Sequence, residues 1–247
     1  MVAQVVVQAP VRQDRMGGIK RVASIITDVR IGASESIVYV SDGCTLPQPA
    51  IGLCYDTTVT DEKEGVGIDI EEAAIPAFAL YGGVDCFIGP ENATDFPIRA
   101  RRILEQGEDR AIESRLATWA AAGTDLAAGA TLVESIAAVE QALDEDYIGR
   151  GIILMSRGDA VRASASGSLE HMIDGIPVTV NGTPIVASGA IADGTVYGVG
   201  AVTILRSAVF DINTIDHTTN HDWAIAEAVY AVIVDCSFRV NSVVDAG

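Results

Sequence analysis

The chain has 247 residues, 49% of them hydrophobic and only 5% aromatic, so it can bury a sizeable core built mostly from Ala, Val and Ile and is not a disordered tail. Its formal net charge of −18 argues against a protein that grips nucleic acid over its general surface, because phosphate affinity rests on clustered Lys and Arg. No stretch has the length and apolarity of a membrane-spanning helix, and residues 1–7 lack the basic region and apolar run of a secretion signal, so synthesis and assembly in a cytoplasm are expected.

Residues 1–31 mix Val, Gln, Pro, Arg and paired glycines without a sustained period, as an extended arm does. Within the first thirty residues Arg12, Arg15, Lys20, Arg21 and Arg30 oppose only Asp14 and Asp28, a local balance of +3 in an otherwise acidic chain. Two readings stay open: a basic leader that pairs with acidic surface elsewhere on the chain, or an arm that faces a packaged polyanion. An arm with so little to bury should fray alone, so it is expected to lie on neighbouring molecules or to pair as a strand with its parent sheet.

Residues 36–40 and 51–55 read as strands, followed by a polar stretch over 56–67 and an apolar return through Ile68, Ile70, Ile75, Phe78, Leu80 and Tyr81. A hairpin tipped by Asp61, Glu62, Lys63 and Glu64 would project from a compact body, since those charges have little reason to be buried. Like the arm, it is expected to find its burial on sister molecules.

A long helix follows, with Thr94 and Asp95 as candidate N-caps, Pro97 in the first turn and Gly123 beyond its end. Leu104, Ala111, Ile112, Leu116 and Trp119 form one apolar stripe, while Glu105, Glu108, Asp109, Glu113 and Arg115 are assigned to the solvated face. Gly107 interrupts it and is read as a bend, a close backbone approach or plain tolerance. A capping box, Thr131 to Glu134, opens a second helix through Leu132, Ile136, Val139, Leu143 and Tyr147 to Gly149. Residues 151–155 read as a buried strand, 157–165 as a short helix, 177–185 as a hairpin turning at Asn181-Gly182, and 196–210 as strands. The segment 223–244 reads as one strand well beyond the usual length, covered on both faces through residue 234 and emerging on one face at Arg239 and Asn241.

Chemistry is sparse. Cys44, Cys54, Cys86 and Cys236 show no CxxC spacing and are expected to be buried reduced thiols. His171, His217 and His221 form no ligand motif, and no nucleophile elbow, SxxK pair or phosphate loop occurs, so catalytic, cofactor-binding and metal-binding residues are all expected to be absent. Arg157-Gly158-Asp159 is taken as a chance integrin-type tripeptide. A hydrolase pairing one of the cysteines with His171 or His221 remains an alternative without support from any spacing.

Three segments bear on family: Phe78-Ala79-Leu80-Tyr81-Gly82-Gly83-Val84-Asp85-Cys86 before the long helix, Ala100-Arg101-Arg102-Ile103-Leu104-Glu105-Gln106-Gly107-Glu108 within it, and residues 220–236 near the end. Together with the order of elements, they resemble the major capsid protein of tailed bacteriophages, in the short form found in phages of actinobacteria. These are packing motifs, less specific than a catalytic signature, although the resemblance spans the chain. It implies an α+β Hong Kong 97-like fold with an N-terminal arm at 1–31, an extended β-hairpin loop and peripheral-domain strands at 32–93, and a spine helix at 94–123. An axial domain at 124–206 and a peripheral-domain return with a long C-terminal strand at 207–247 complete it, with residues 211–222 as a loop near a three-fold contact.

The resemblance further implies a non-enzymatic subunit that self-assembles into hexamers and pentamers of an icosahedral shell, located in the virion capsid, assembled in the host bacterial cytoplasm and enclosing double-stranded DNA by weak nonspecific contact. Portal and a separate scaffolding protein are the other implied partners, with no membrane and no cofactors. Some relatives crosslink Lys to Asn, for which only Lys20 and Lys63 are available here. An encapsulin-like bacterial compartment would share the fold and differ in contents.

Overall fold

A computed structural model describes residues 15–33, 37–41, 44, 69–87, 95–147, 149–171, 175–219 and 221–245. The expected strand at 51–55, the loop tip with Lys63, and residues 1–14 of the arm lie outside them. In chain order the elements are α1 (Ile19–Val22), β1 (Ser24–Thr27), β2 (Val38–Ser41), β3 (Asp69–Glu72), β4 (Ile75–Phe87), α2 (Phe96–Ala120), β5 (Thr124–Asp125), α3 (Leu132–Asp146), β6 (Ile152–Met155), α4 (Arg157–Ala165), β7 (Leu169–His171), β8 (Pro177–Thr179), β9 (Ile185–Ala187), β10 (Thr195–Val199), β11 (Val202–Arg206), β12 (Phe210–Asp216), β13 (His221–Val234) and β14 (Arg239–Val243).

The long helix is one unbroken element, α2, and it lies against a five-stranded sheet in which β13 pairs with β4 along one edge and with β12 and β11 along the other, β1 being added parallel to β11. Alternation along β13 explains the packing. Ala224, Ala226, Ala228, Tyr230, Val232 and Val234 are buried and share a core with Phe96, Ala100, Leu104, Ile112 and Leu116 of α2, each large side chain contributing roughly 1.5–3 kcal/mol by leaving water. Small residues on the strand let the helix lie close. The closest approach is at Gly82 on β4, where a Cβ would stand 2.3 Å from the Ala100 carbonyl oxygen and 2.5 Å from the Leu104 amide nitrogen.

Pro97 occupies the first turn of α2 as expected, but the Asp95 side chain makes no capping bond. At Gly107 an added Cβ would meet nothing within 4 Å, so the close-approach reading fails there. Gly107→Ala is therefore expected to stabilise the chain by up to about 1 kcal/mol, seen as a higher melting temperature; a lower one would mean the helix needs glycine's freedom.

A second five-stranded sheet, in the order β5-β14-β10-β6-β9, carries α3 and α4. The capping box is present, Thr131 accepting from the Glu134 amide and Glu134 accepting from the Thr131 amide. All four residues of β6 are buried, as the apolar run requires, and α4 occupies the expected residues. The hairpin turning at Asn181-Gly182 forms, with Gly182 at φ +87, the Thr179 amide donating to the Thr183 carbonyl and an antiparallel bridge between Val178 and Pro184; beyond it β8 pairs with β7 and β9 with β6.

Two expectations need correction. The apolar run 223–244 is two strands in two sheets, because a turn at 235–237, left-handed at Cys236 and Ser237, carries the chain from β13 to β14, where Val240, Asn241 and Ser242 are buried in succession, so Asn241 does not emerge. The supposed loop at 211–222 is the β12–β13 hairpin, closed by a turn at 217–219. Residues 15–33 are seated on their own chain, α1 packing on α2 and β1 joining the first sheet, which is the parent-sheet alternative.

Candidate assembly surfaces

The arm is held by charge. Glu108 and Glu113, assigned as charged residues to the solvated face of α2, are only 3% and 1% exposed. Glu108 accepts from Arg206 (2.6 Å) and from the Tyr230 hydroxyl (2.6 Å) on one oxygen and from Lys20 Nζ (3.2 Å) on the other. Glu113 pairs with Arg15 and accepts from the Ile19 amide at 3.1 Å, while Asp109 accepts from the Lys20 amide. Burial, reinforced by the Glu108 carboxylate, pushes the Tyr230 hydroxyl well above its ordinary pKa, so it remains a donor. Arg30 bonds Asp28 and holds that carboxyl down to about 2. Of the described basic residues of the arm, Arg15, Lys20 and Arg30 pair with acidic groups of their own chain, as the first of the two readings of the arm's charge has it, and Arg21 is exposed.

The neck of the excursion is a two-stranded ribbon with Val38 opposite Glu72, Tyr39 opposite Glu71 and Val40 opposite Ile70. Its polar face sits on the body. The Tyr39 hydroxyl lies 2.8 Å from the Val234 carbonyl oxygen and 2.6 Å from Glu71, which also accepts from the Ser237 hydroxyl at 3.0 Å. Burial, then the Glu71 contact, pushes the Tyr39 pKa up to about 12 and keeps the phenol neutral. Just past this ribbon Cys44 forms a disulfide with Cys236, which corrects the expectation of reduced thiols. The two cysteines stand 192 residues apart, and only the docking of the neck beside the turn after β13 brings them together.

The opposite face of the ribbon is uncovered and mostly apolar, with Val38, Val40 and Ile70 55%, 65% and 73% exposed beside the exposed Glu72. This inverts the usual arrangement, in which apolar residues face the parent body. A second uncovered apolar surface lies on the first sheet, on the side away from α2. There Phe210 and Ile212 of β12, Trp223 of β13 and Tyr81 of β4 are all exposed and project from one face by their register. Arg101 of α2 braces β12 from the inner side through Asp211, whose pKa is lowered by that hydrogen bond.

Catalytic geometry does not emerge from the residues singled out in the sequence. His221 contacts Asp85 at 2.7 Å and His217 lies in the exposed turn after β12, while His171 ends β7 in the other unit. Among the described residues no group of three His, Cys, Asp or Glu is placed to hold a metal, and no helix is long and apolar enough to cross a membrane. In Arg157-Gly158-Asp159, Ser156 caps α4 and the buried Asp159 accepts from Arg162 and the Gly194 amide, so this acid is structural. A cleft of about 990 Å³ opens between α3 and the turn at 181–182, where Glu140 accepts from the Asn181 amide and the Thr183 hydroxyl.

No family model and no curated protein matches the chain. Solved structures do. A chain of the capsid of an empty GTA particle matches with a TM-score of 0.62 at 13% identity, covering 98% of this chain and 94% of that one. A chain of Mycobacterium phage Che8 matches with 0.57 at 12% identity, covering 98% and 96%. The virus-like particle of Pyrococcus furiosus matches with 0.59 at 8% identity over 91% of each chain. The chain therefore has the α+β fold of these capsid chains that its resemblance implied, matched over 98% of its length.

Proposed function

We propose that this chain is a major capsid protein, a structural subunit that assembles into the hexamers and pentamers of an icosahedral shell around a phage's double-stranded DNA. The observation that carries this is the fold match over 98% of the chain to capsid chains of similar length.

The uncovered surfaces supply the physical reason for assembly. The neck ribbon and the outer sheet face expose apolar residues that their own chain leaves open, and they lie at different places on the surface. Joining one kind of patch to a different kind on the next copy is a heterologous contact, which closes into rings when the rotation permits. In this reading residues 1–31 are the arm, 32–93 the extended loop with peripheral strands, 94–123 the spine helix, 124–206 the axial domain and 207–247 the peripheral return. Gly107 is where the spine helix bends as the shell expands. Portal and scaffolding proteins are the further partners, and the charge of −18 keeps contact with packaged DNA weak.

The test is expression of the chain followed by sedimentation and negative-stain electron microscopy, with and without scaffold. Closed particles, or aberrant shells that scaffold corrects, are the expected result; a monomer under both conditions removes the proposal. A compartment loaded with protein is the second reading, favoured by the match to the Pyrococcus furiosus particle. Nuclease-protected DNA in particles from the native source supports the phage capsid, and protected protein cargo supports the compartment.

A further inference from the structure

Cys44 and Cys236 meet at the root of the excursion. Cys44 is exposed and Cys236 half-buried, and their Cα atoms are 5.6 Å apart, within the range a disulfide needs. Cys236 and Ser237 both hold positive φ, 57 and 45, a conformation that side chains other than glycine seldom adopt and that persists only where the surroundings enforce it. This turn presents Cys236 to the neck. The contacts of Tyr39 with Val234 and of Glu71 with Ser237 hold the same two segments together without the covalent bond. The sulfurs are therefore aligned before they react.

We propose that this pair is a redox modification site: a dithiol where the chain is made in a reducing cytoplasm, and a disulfide once the shell meets an oxidising medium, fastening the neck of the excursion to the body. The inference rests on the capsid reading for its setting and adds the regulation of one of its assembly surfaces. The oxidant class is a low-molecular-weight disulfide of the oxidised glutathione type. The exposed Cys44 thiolate attacks it and expels one small thiolate; the Cys236 thiolate then attacks the Cys44 sulfur and expels the second. The protein gives up two protons and two electrons, and the small disulfide becomes two thiols. Before oxidation the neck can leave the body by breaking hydrogen bonds alone. Afterwards Cys44 is covalently fixed to the turn that follows β13.

Cells expressing the chain are lysed into iodoacetamide, purified protein is separately treated with oxidised glutathione, and both are digested without reductant. Cys44 and Cys236 are expected to carry the alkyl mass at lysis and to appear as one linked peptide pair after oxidation. Oxidised protein should melt on the order of 5–10 °C above reduced protein, and the Cys44→Ser, Cys236→Ser double variant should melt at the same temperature in either medium. Cys44 joined to Cys54 or Cys86, a 44–236 link already complete at lysis, or equal melting temperatures of oxidised and reduced wild type would each overturn the proposal. The peptide readout works on unassembled chain too, so failure to form particles defeats the capsid reading and leaves this one standing or falling on its own.

Discussion

Glu108→Ala is expected to destabilise the chain by roughly 3 kcal/mol, the low end of what removing one partner of a buried ion pair costs, since Lys20 and Arg206 are each about one quarter exposed. The loss falls on four segments together, because this carboxylate links the arm through Lys20, β11 through Arg206 and β13 through Tyr230 to α2. Tyr230 is 1% exposed, so its hydroxyl would be left without an acceptor in the core. Glu108→Gln keeps an oxygen for that hydroxyl while removing the charge, and should lose less. Urea unfolding gives the stability, and trypsin cleavage at Arg15, Lys20 and Arg21 reports the arm. If Glu108→Ala leaves both unchanged, the carboxylate is not what holds the arm down.

Replacing Val40 and Ile70 together by aspartate should abolish closed particles while changing the stability of the isolated chain by no more than about 0.5 kcal/mol, as surface substitutions usually do. The two side chains face each other across the neck ribbon on its exposed side, so in the single chain the carboxylates stay in water. On docking against a neighbour they would have to be desolvated without a partner, a cost of several kcal/mol per contact that recurs at every equivalent interface of a shell. Sedimentation separates particles from subunits, and thermal melting confirms that the chain still folds. Normal particles from the double variant would show that this apolar face serves no contact between copies.

The two sites differ in how far the amino-acid order could announce them. The apolar residues of the neck are in plain view, and a projecting hairpin there follows from alternation around a charged tip. That its apolar side faces outward does not follow, because period two defines two faces without saying which one meets the body. Glu108 stands four residues from both Leu104 and Ile112, and Glu113 three and four from Leu116 and Ala117, so helical spacing puts them on or beside the buried face and only their charge argued for solvent. Their burial depends on Lys20, Arg15 and Arg206, which lie 88 to 98 residues away in the chain. The local signals were that spacing and the excess of basic residues at the start, which showed that acidic partners were needed and not where they stood.

What the sequence by itself determined is everything set by interactions within a few residues: the span of α4, the capping box of α3, the length of α2, the buried run of β6, and the turn at Asn181-Gly182. It also determined the α+β class, through the order in which helical and alternating stretches succeed one another. The tertiary structure alone decided the seating of the arm on α2, the division of the last apolar run between two sheets at a left-handed turn, and the disulfide across 192 residues. The reason is common to all three: local propensity and hydrophobic period act along the chain, whereas ion pairs, sheet membership and sulfur pairing depend on where distant segments are brought in space, and many placements are compatible with the same pattern.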